Sequence, residues 1–310
     1  GKMPREDYNI FMAMSQRIGQ DSKGNSVFVL DGNGNSTGVL NHDLNEIADA
    51  YIDFLSGNEH QKSEYIFTIK KSEVKDHINI NPQHYSPKLN AALDSVLAFD
   101  NTDNWATTTV GQLEAGIRIY IGPRWNSASI KVDNPTDISN LVPYLTANAA
   151  LELRRFTVKW LDARKANPQQ RQCIDMLKIH EGDILISRSG TIGKVTYATK
   201  DLAENYIVSD DLVRIRVKDA NLRAYLLAYF TSSTALALML LDEYGSVQQH
   251  LQPRHIQEML IPVPDDWSLA QDMIDAGNMF IKAMEDMSKA DRKIRMQGFD
   301  ALIAEYLYND

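Results

Sequence analysis

The sequence has little cysteine and no long apolar run, and each shortage excludes a class of protein. Its single cysteine, Cys173, can form no internal disulfide and has no neighbours at metal-ligand spacing, which argues against a secreted disulfide scaffold and a zinc site. No apolar run approaches the roughly 18 residues that cross a bilayer, and the first residues lack the pattern of a signal peptide. A cytoplasmic globular protein is therefore expected.

The charges are unevenly distributed along the chain. A net charge of -9 over 310 residues argues against a nonspecific nucleic-acid coat. Residues 1–60 contain 4 Lys/Arg and 9 Asp/Glu, residues 261–310 contain 5 and 10, and residues 151–200 contain 10 and 5. A basic middle between acidic ends suits a chain that grips phosphates centrally and meets protein at its ends. A solvated patchwork of surface charge would give the same counts.

The first sixty residues read as a helix, a hairpin and a second helix. Residues 7–18 carry apolar side chains at helical spacing and predict the first helix, which ends at Gly19. Two short apolar runs, 26–30 and 38–40, bracket the glycine-rich segment DGNGNSTG and predict the hairpin. The run LNEIADAYIDFL, residues 44–55, predicts an amphipathic helix.

The glycine-rich segment partly resembles a calcium loop. Asp31, Asn33 and Asn35 supply oxygen atoms at the right spacing, but Ser36 stands where the loop requires glycine. His42 stands where a bidentate glutamate is required. The sequence therefore favours a plain turn.

The centre of the chain predicts a mixed sheet with exposed loops, followed by helices. The runs GDILIS and KVTYAT read as strands joined by the turn RSGTIG, and LVRIRV reads as a third strand. Two helices follow, with Asn221 and Ser232 as expected N-caps, and Pro253 is expected in the first turn of a short helix before another strand.

The tail predicts one long helix that starts after a cap at Ser268. Nearly forty residues without proline would span about 55 to 60 Å. Its apolar positions recur at alternating four- and three-residue steps, interrupted by Asp291: Met273, Gly277, Phe280, Met284, Met287, Ile294, Gly298 and Ala301. Such a seam predicts pairing with a second copy or a partner subunit, and a helix packed on its own chain is the alternative.

The order of motifs in the second half is more specific than any one of them. The stretch from EGDILISRSGTIGK to NLRAYLLAYFTSS, followed by YGSVQQHLQPRHIQEMLIPVP, resembles the target recognition domains of type I restriction-modification specificity subunits. The likeness covers roughly residues 76 to 310. It implies sequence-specific recognition of double-stranded DNA, with a spacer helix at the end.

Residues 1–60 instead resemble the C-terminal tail of N6-adenine DNA methyltransferases of the same systems, which suggests a fused methyltransferase-specificity protein. The motif that holds the target adenine is missing, since NPQH (81–84) and NPTD (134–137) lack its second proline and aromatic ring. No glycine-rich methyl-donor loop is recognised either. The chain is therefore expected to be no enzyme and to need no cofactor.

The resemblance implies an α+β fold, with a mixed-sheet recognition domain, flanking helices and a long C-terminal coiled-coil-type helix. The expected domains are a methyltransferase-like tail (1–64), a DNA target recognition domain (65–265) and a spacer or dimerisation helix (266–310). The expected partners are double-stranded DNA, an N6-adenine methyltransferase, a second copy bound through the tail and, as a further candidate, a restriction subunit.

Recognition of DNA requires cations and backbone donors for phosphates, and amides or guanidinium groups for base edges. Three loops and one basic strip supply such side chains, with the strip expected to position rather than specify. The predicted DNA contacts are Arg118, Tyr120, Arg124, Trp125, Asn126, Arg154, Arg155, Lys159, Arg188, Ser189, Thr191, Lys194, Gln248, Gln249, His250 and Arg254.

Two other functions compete with DNA recognition. In the first, the chain is a docking module that assembles the methyltransferase complex through its C-terminal helix. The second, an enzyme, rests on the partial phosphate-loop motif SGTIGK and seven scattered histidines. It fails on spacing, because only two residues separate Gly190 from Gly193 and Val195 stands where a magnesium-binding hydroxyl is needed.

Overall fold

The structure is a computed structural model that describes residues 7–21, 23–58, 63–74, 80–113, 116–152, 158–240 and 250–297, with the side chains of 83, 84 and 294–297 excepted. The chain divides into two compact units, Gly1–Ala92 and Leu93–Asp310, and the division falls within a helix. Among the described helices, none combines the length and the apolar composition needed to span a membrane.

The helices of the described part are α1 (Leu44–Leu55), α2 (Pro87–Leu97), α3 (Ala147–Leu151), α4 (Pro168–Met176), α5 (Lys200–Asn205), α6 (Ala220–Phe230), α7 (Ser233–Met239), α8 (Pro253–Glu258) and α9 (Gln271–Gln297). Its strands are β1 (Asn9–Ala13), β2 (Phe28–Leu30), β3 (Ser36–Leu40), β4 (Ile66–Lys70), β5 (Trp105–Thr109), β6 (Arg118–Ile121), β7 (Lys131–Val132), β8 (Val142–Leu145), β9 (Lys159–Leu161), β10 (Ile184–Ser187), β11 (Val195–Tyr197), β12 (Ile207–Val208), β13 (Leu212–Arg216) and β14 (Leu260–Pro264).

The helix expected over residues 7–18 is wrong, because this segment forms β1, which pairs antiparallel with β4. Met12 on one face of β1 lies in a core with Phe67. Phe11 on the other face packs against Tyr51 of α1, with ring centroids 5.3 Å apart. A strand that has apolar contacts on both faces reads as a continuous apolar run, which fits either periodicity.

The hairpin β2–β3 and the helix α1 confirm the other expectations for this unit. The carboxylate of Asp31 accepts hydrogen bonds from the backbone N–H groups of Asn35 and Asn33 at 2.8 and 2.9 Å. These bonds hold the pKa of Asp31 below its ordinary value. The segment is therefore a turn closed by its own aspartate.

The second unit contains two four-stranded sheets, which confirms the expected mixed-sheet α+β fold. One sheet has the order β11-β10-β13-β6, the other has the order β12-β8-β9-β7, and β14 pairs with β5. The predicted hairpin β10–β11 and the strand β13 are both in the first sheet. Strands β10 and β13 are buried along almost their whole length, so both belong to the core rather than to a half-exposed surface.

The helix starts follow the predicted capping chemistry with one correction. Ser232 caps α7 and Pro253 opens α8, as expected. The cap of α6 is Asp219 rather than Asn221, and its carboxylate accepts the backbone N–H of Leu222 at 2.7 Å. Both residues suit a cap, and the deciding factor is that the chain turns helical from Ala220.

The long helix α9 begins later than expected. A short 3-10 turn (Trp267–Ala270) precedes it, and Asp266 rather than Ser268 accepts the hydrogen bond at the start of this turn. The expected Gly298 and Ala301 lie outside the described residues, so the full helix length stays a prediction.

One stripe of α9 packs on its own unit, as the alternative reading of the tail had it. Gly277 faces α6 so closely that an added Cβ would lie 2.0 Å from the carbonyl oxygen of Ala224. Further along, the hydroxyl of Ser288 is 3.2 Å from that of Thr199. The seam predicted from the sequence therefore combines positions from two neighbouring stripes of α9. The stripe that contains Gly277 and Asp291 is buried.

The second stripe of α9, called the outer stripe below, remains accessible. It repeats at four- and three-residue steps and comprises Met273, Ala276, Phe280, Ala283, Met287 and Ala290, and Leu269 in the preceding turn continues the same spacing. Leu269, Met273 and Met287 are 51%, 41% and 42% exposed, and Phe280 is half-buried. This stripe, rather than the whole predicted seam, is the apolar surface that the helix leaves open.

Candidate nucleic-acid interface

Three connections of the first sheet emerge at one end of it. Antiparallel pairing sets Ser187, the last residue of β10, opposite Leu212, the first residue of β13. Val213 in turn pairs with Ile121, the last residue of β6. The turn 188–194, the approach to β13 and the connection after β6 therefore lie side by side, and this end of the sheet is called the loop end below.

The turn between β10 and β11 is fixed by one buried hydroxyl. The Oγ of Ser187 donates to the carbonyl of Thr191 at 2.5 Å and accepts the N–H of Lys194 at 2.9 Å. Gly193 has a φ of +81°, which favours glycine, and an added Cβ would also lie 2.5 Å from a terminal methyl group of Leu236. The side chains of Thr191 and Lys194 are exposed, whereas Ser189 is half-buried.

The segment before α8 is tied to this turn through Arg188. The N–H of Leu251 donates to the carbonyl of Arg188 at 3.0 Å, and the Nε of Arg188 donates to the carbonyl of Leu251 at 3.3 Å. Arg188 was expected on an open loop, but only 9% of it is exposed. In this structure it holds two connections together through both its backbone carbonyl and its guanidinium.

This link brings His250 and Arg254 to the loop end. Arg254 is exposed and its Nε lies 3.1 Å from the Nε2 of His255, whereas His250 is half-buried. The expected contacts Gln248 and Gln249 lie outside the described residues. Within the described part of this segment, Arg254 at the start of α8 is the exposed cation.

The connection after β6 carries an exposed arginine, Arg124, which two anchored residues follow. Arg124 and Asn126 are exposed, but the Oδ1 of Asn126 accepts the N–H of Ala128 at 2.9 Å. Trp125 is half-buried, and its ring packs edge-on against that of Tyr144, with centroids 6.2 Å apart. Trp125 therefore holds the loop in place, and Arg124 is the cation that the loop exposes.

Lys159 reaches the same neighbourhood from the second sheet. Its Nζ lies 5.9 Å from the centre of the Tyr144 ring, and its side chain is exposed. Burial raises the pKa of Tyr144, and the charges of Asp210 and Asp211 raise it further. Arg154 and Arg155, the other members of the expected strip, lie outside the described residues.

Arg118 lies at the opposite end of the sheet, paired with Arg216, and the side chain of Tyr120 points toward that end. The hydroxyl of Tyr120 donates to Asp183 at 3.2 Å, and Arg216 makes two bonds to the same buried carboxylate at 2.9 and 3.0 Å. Burial and the charge of Asp183 raise the pKa of Tyr120. The exposed guanidinium of Arg118 stacks 4.7 Å from the Tyr120 ring centre.

The structure thus divides the predicted contacts into groups. The exposed cations at or beside the loop end are Arg124, Lys159, Lys194 and Arg254. Sequence reasoning missed Asp210 and Asp211, half-buried at the same end, although the aspartate-rich approach to β13 was visible. It also missed the fully buried Arg214, whose charge within a strand of apolar neighbours was the available signal.

Comparison with known proteins identifies the central part of the chain. Residues 121–274 match the family model of the type I restriction modification DNA specificity domain. No curated protein sequence matches the chain. The matched domain is a specificity domain, so the expectation of a non-catalytic role is confirmed for this segment.

Solved structures of low identity resemble the chain. The HsdS subunit from Thermoanaerobacter tengcongensis is 17% identical, with a TM-score of 0.38 over 66% of this chain and 44% of that one. The S subunit of a type I restriction-modification system from M. genitalium is 11% identical, with a TM-score of 0.39 over 74% and 52%. The type IIG restriction endonuclease BpuSI is 13% identical, with a TM-score of 0.42 over 76% and 33%. The chain therefore spans about half or less of the length of these structures.

Proposed function

We propose that this chain, whose residues 121–274 carry a type I restriction modification DNA specificity domain, recognises a specific sequence in double-stranded DNA. The observation that carries the proposal is the gathering of exposed cations at the loop end of a buried sheet. Rigid strands with irregular connections at one end are a common way to present binding residues. The cations serve phosphates, whereas loop amides and carboxylates read base edges.

The proposed phosphate contacts are the predicted cations whose side chains are exposed. Arg124, Lys159, Lys194 and Arg254 each present an exposed cation. A cation that neutralises a phosphate adds affinity without sequence information. Asn126 is the candidate reading group in these connections, and the sequence adds the amides of Gln248 and Gln249, which lie outside the described residues. Arg118 lies at the other end of the sheet and would contribute only if the duplex extended that far.

Recognition without catalysis implies a partner that acts on the DNA. The resemblance of residues 1–60 to a methyltransferase tail supports an N6-adenine methyltransferase, with a restriction subunit as a further partner. The proposed division of labour is then 1–64 for the methyltransferase side, 65–265 for DNA and 266–310 for assembly. In the docking-module alternative, the main role of the chain is to assemble the methyltransferase complex through its C-terminal helix, and DNA binding by the loops is secondary.

The outer stripe of α9 supports self-association. Heptad spacing of exposed Met273, half-buried Phe280 and exposed Met287 is the pattern of a helix that pairs with another helix. A symmetric dimer would present two recognition units to a two-part site.

Self-association can be tested without removing α9, whose other stripe packs on its own unit. The double variant Phe280→Glu, Met287→Glu is expected to shift the protein from dimer to monomer in light scattering, because paired charges cannot be buried in an apolar seam. The matched control is Asn278→Glu, Met279→Glu, which makes the same change in net charge on exposed positions outside the stripe. A wild-type protein that stays monomeric at high concentration would refute the dimer.

Selection of bound duplexes from a random pool, with and without the methyltransferase, tests the recognition proposal. Enrichment of one sequence is expected, with an affinity that falls steeply as salt rises. A pool that stays random, together with tight methyltransferase binding, would favour the docking module instead.

A further inference from the structure

The fully buried Arg214 is the exceptional side chain of the core. It has no exposed surface and sits in β13 between the apolar residues Val213 and Ile215. Its Nη1 donates to the carbonyls of Met176 and Lys178, both at 3.3 Å. A buried cation costs far more than an apolar residue of similar volume unless its donors are matched.

The second terminal nitrogen joins the two sheets of the second unit. The Nη2 of Arg214 donates to the carbonyl of Val208 at 3.0 Å and to that of Ser209 at 3.3 Å. Val208 ends β12 in the second sheet, whereas Arg214 belongs to the first. All four acceptors are backbone carbonyls at or beside the ends of elements, since Met176 ends α4, Lys178 forms a single bridge with Ile207, and Val208 ends β12. The guanidinium fork ties these ends to one point.

The connection after β6 is fitted around the same group. Gly122, the first residue of that connection, faces the guanidinium, and an added Cβ would lie 2.8 Å from the Nη2 of Arg214 and 2.7 Å from Leu177. On the other side, the ring of Tyr120 lies 5.9 Å from the guanidinium carbon. Arg214 thus touches the roots of two connections of the loop end, those after Ile121 and Val208.

We propose that Arg214 is a positioning residue that fixes the roots of the connections 122–127 and 209–211 relative to each other, and so sets which base sequence the loop end accepts. The proposal rests on the proposed function. An aliphatic residue would fill the same volume but could not orient four carbonyls. Stability alone does not explain why a charged residue stands here. When buried ion pairs are replaced by apolar residues of similar volume, protein stability is often unchanged or increased.

Arg214→Met and Gly122→Ala attack this junction from its two sides. Each is expected to reduce discrimination between the selected duplex and a single-mismatch duplex by roughly 10- to 100-fold, the range that one misread base pair spans. Affinity for random duplex and the salt slope should change little, because the exposed cations remain. Leu226→Ala, buried in α6 away from the loops, is the control that lowers stability only.

The outcomes are separable. Unchanged discrimination in a folded Arg214→Met or Gly122→Ala protein would overturn the positioning role, as would an equal loss in Leu226→Ala. If Arg214→Met does not fold, Gly122→Ala decides, since its only change is one methyl group. A wild-type protein without sequence preference would instead refute the proposed function.

Combining both substitutions sharpens the test. If the methyl group of Gly122→Ala acts through the guanidinium, the double variant should lose less discrimination than the product of the two single losses. Independent, multiplicative losses would show that the two positions act separately, which would contradict the junction.

Discussion

Replacing Arg124, Lys194 and Arg254 together by alanine is expected to weaken binding of the selected duplex by about 10³-fold at low salt. Each phosphate contact contributes about 0.9 to the slope of log affinity against log salt, so three lost contacts lower the slope by about 2.7. Fluorescence anisotropy titrations between about 50 and 200 mM salt measure both quantities. The loss should be similar for random duplex, because phosphate contacts are blind to sequence.

The matched control removes three cations elsewhere in the same unit. Lys282, Lys289 and Arg292 are exposed on α9, and the helix meets α5, which follows the end of β11 farthest from the loop end. Their triple alanine variant carries the same net charge as the loop variant. Equal weakening by both sets would mean that affinity follows overall charge, and the loop end would lose its assignment.

Gly277→Ala is expected to lower the stability of the second unit by about 3 kcal/mol, a drop in Tm of roughly 6 to 12 °C for a domain of this size. On an exposed helix position the same change would stabilise by about 1 kcal/mol, because alanine is the better helix former. Here the added methyl group would lie 2.0 Å from a backbone oxygen of α6. The sign therefore reverses, since a carbonyl cannot move without its helix.

Urea unfolding gives the stability change, and Asn278→Ala provides the control one residue along, on the exposed face. That control should gain a few tenths of a kcal/mol. A Gly277→Ala protein as stable as the wild type would show that α6 and α9 do not pack as closely as described.

The elements that the sequence predicted correctly share one property, a pattern set by local chemistry. Glycines in the turn predicted the hairpin β10–β11, and Ser232 and Pro253 predicted where α7 and α8 begin. The helix prediction for residues 7–18 was wrong, because apolar contacts on both faces of β1 remove the alternation that distinguishes a strand from a helix. The tail was predicted as one seam because two stripes, one residue apart on a helix, have the same spacing.

The candidate site was only partly predictable, because a side chain's exposure depends on tertiary contacts. Arg188 and Lys194 stand in the same turn and look alike in the sequence, yet one is buried and the other open. Tyr120 and Arg124 are four residues apart, yet the hydroxyl of Tyr120 is bonded to the buried Asp183 whereas Arg124 is exposed in the connection after β6. These outcomes depend on strand register and on contacts between connections, which the sequence of one chain does not display.

The pairing of β5 with β14 has a consequence for how the domain can change. Residues 105–109 and 260–264 lie in adjacent strands, about 4.8 Å apart. The chain therefore leaves β5 and enters β14 at neighbouring points, and the 150 residues between these strands form one insert. Any other insert whose two ends lie equally close together could take its place. Such a layout would let lineages exchange entire recognition inserts while the frame that carries them stays unaltered.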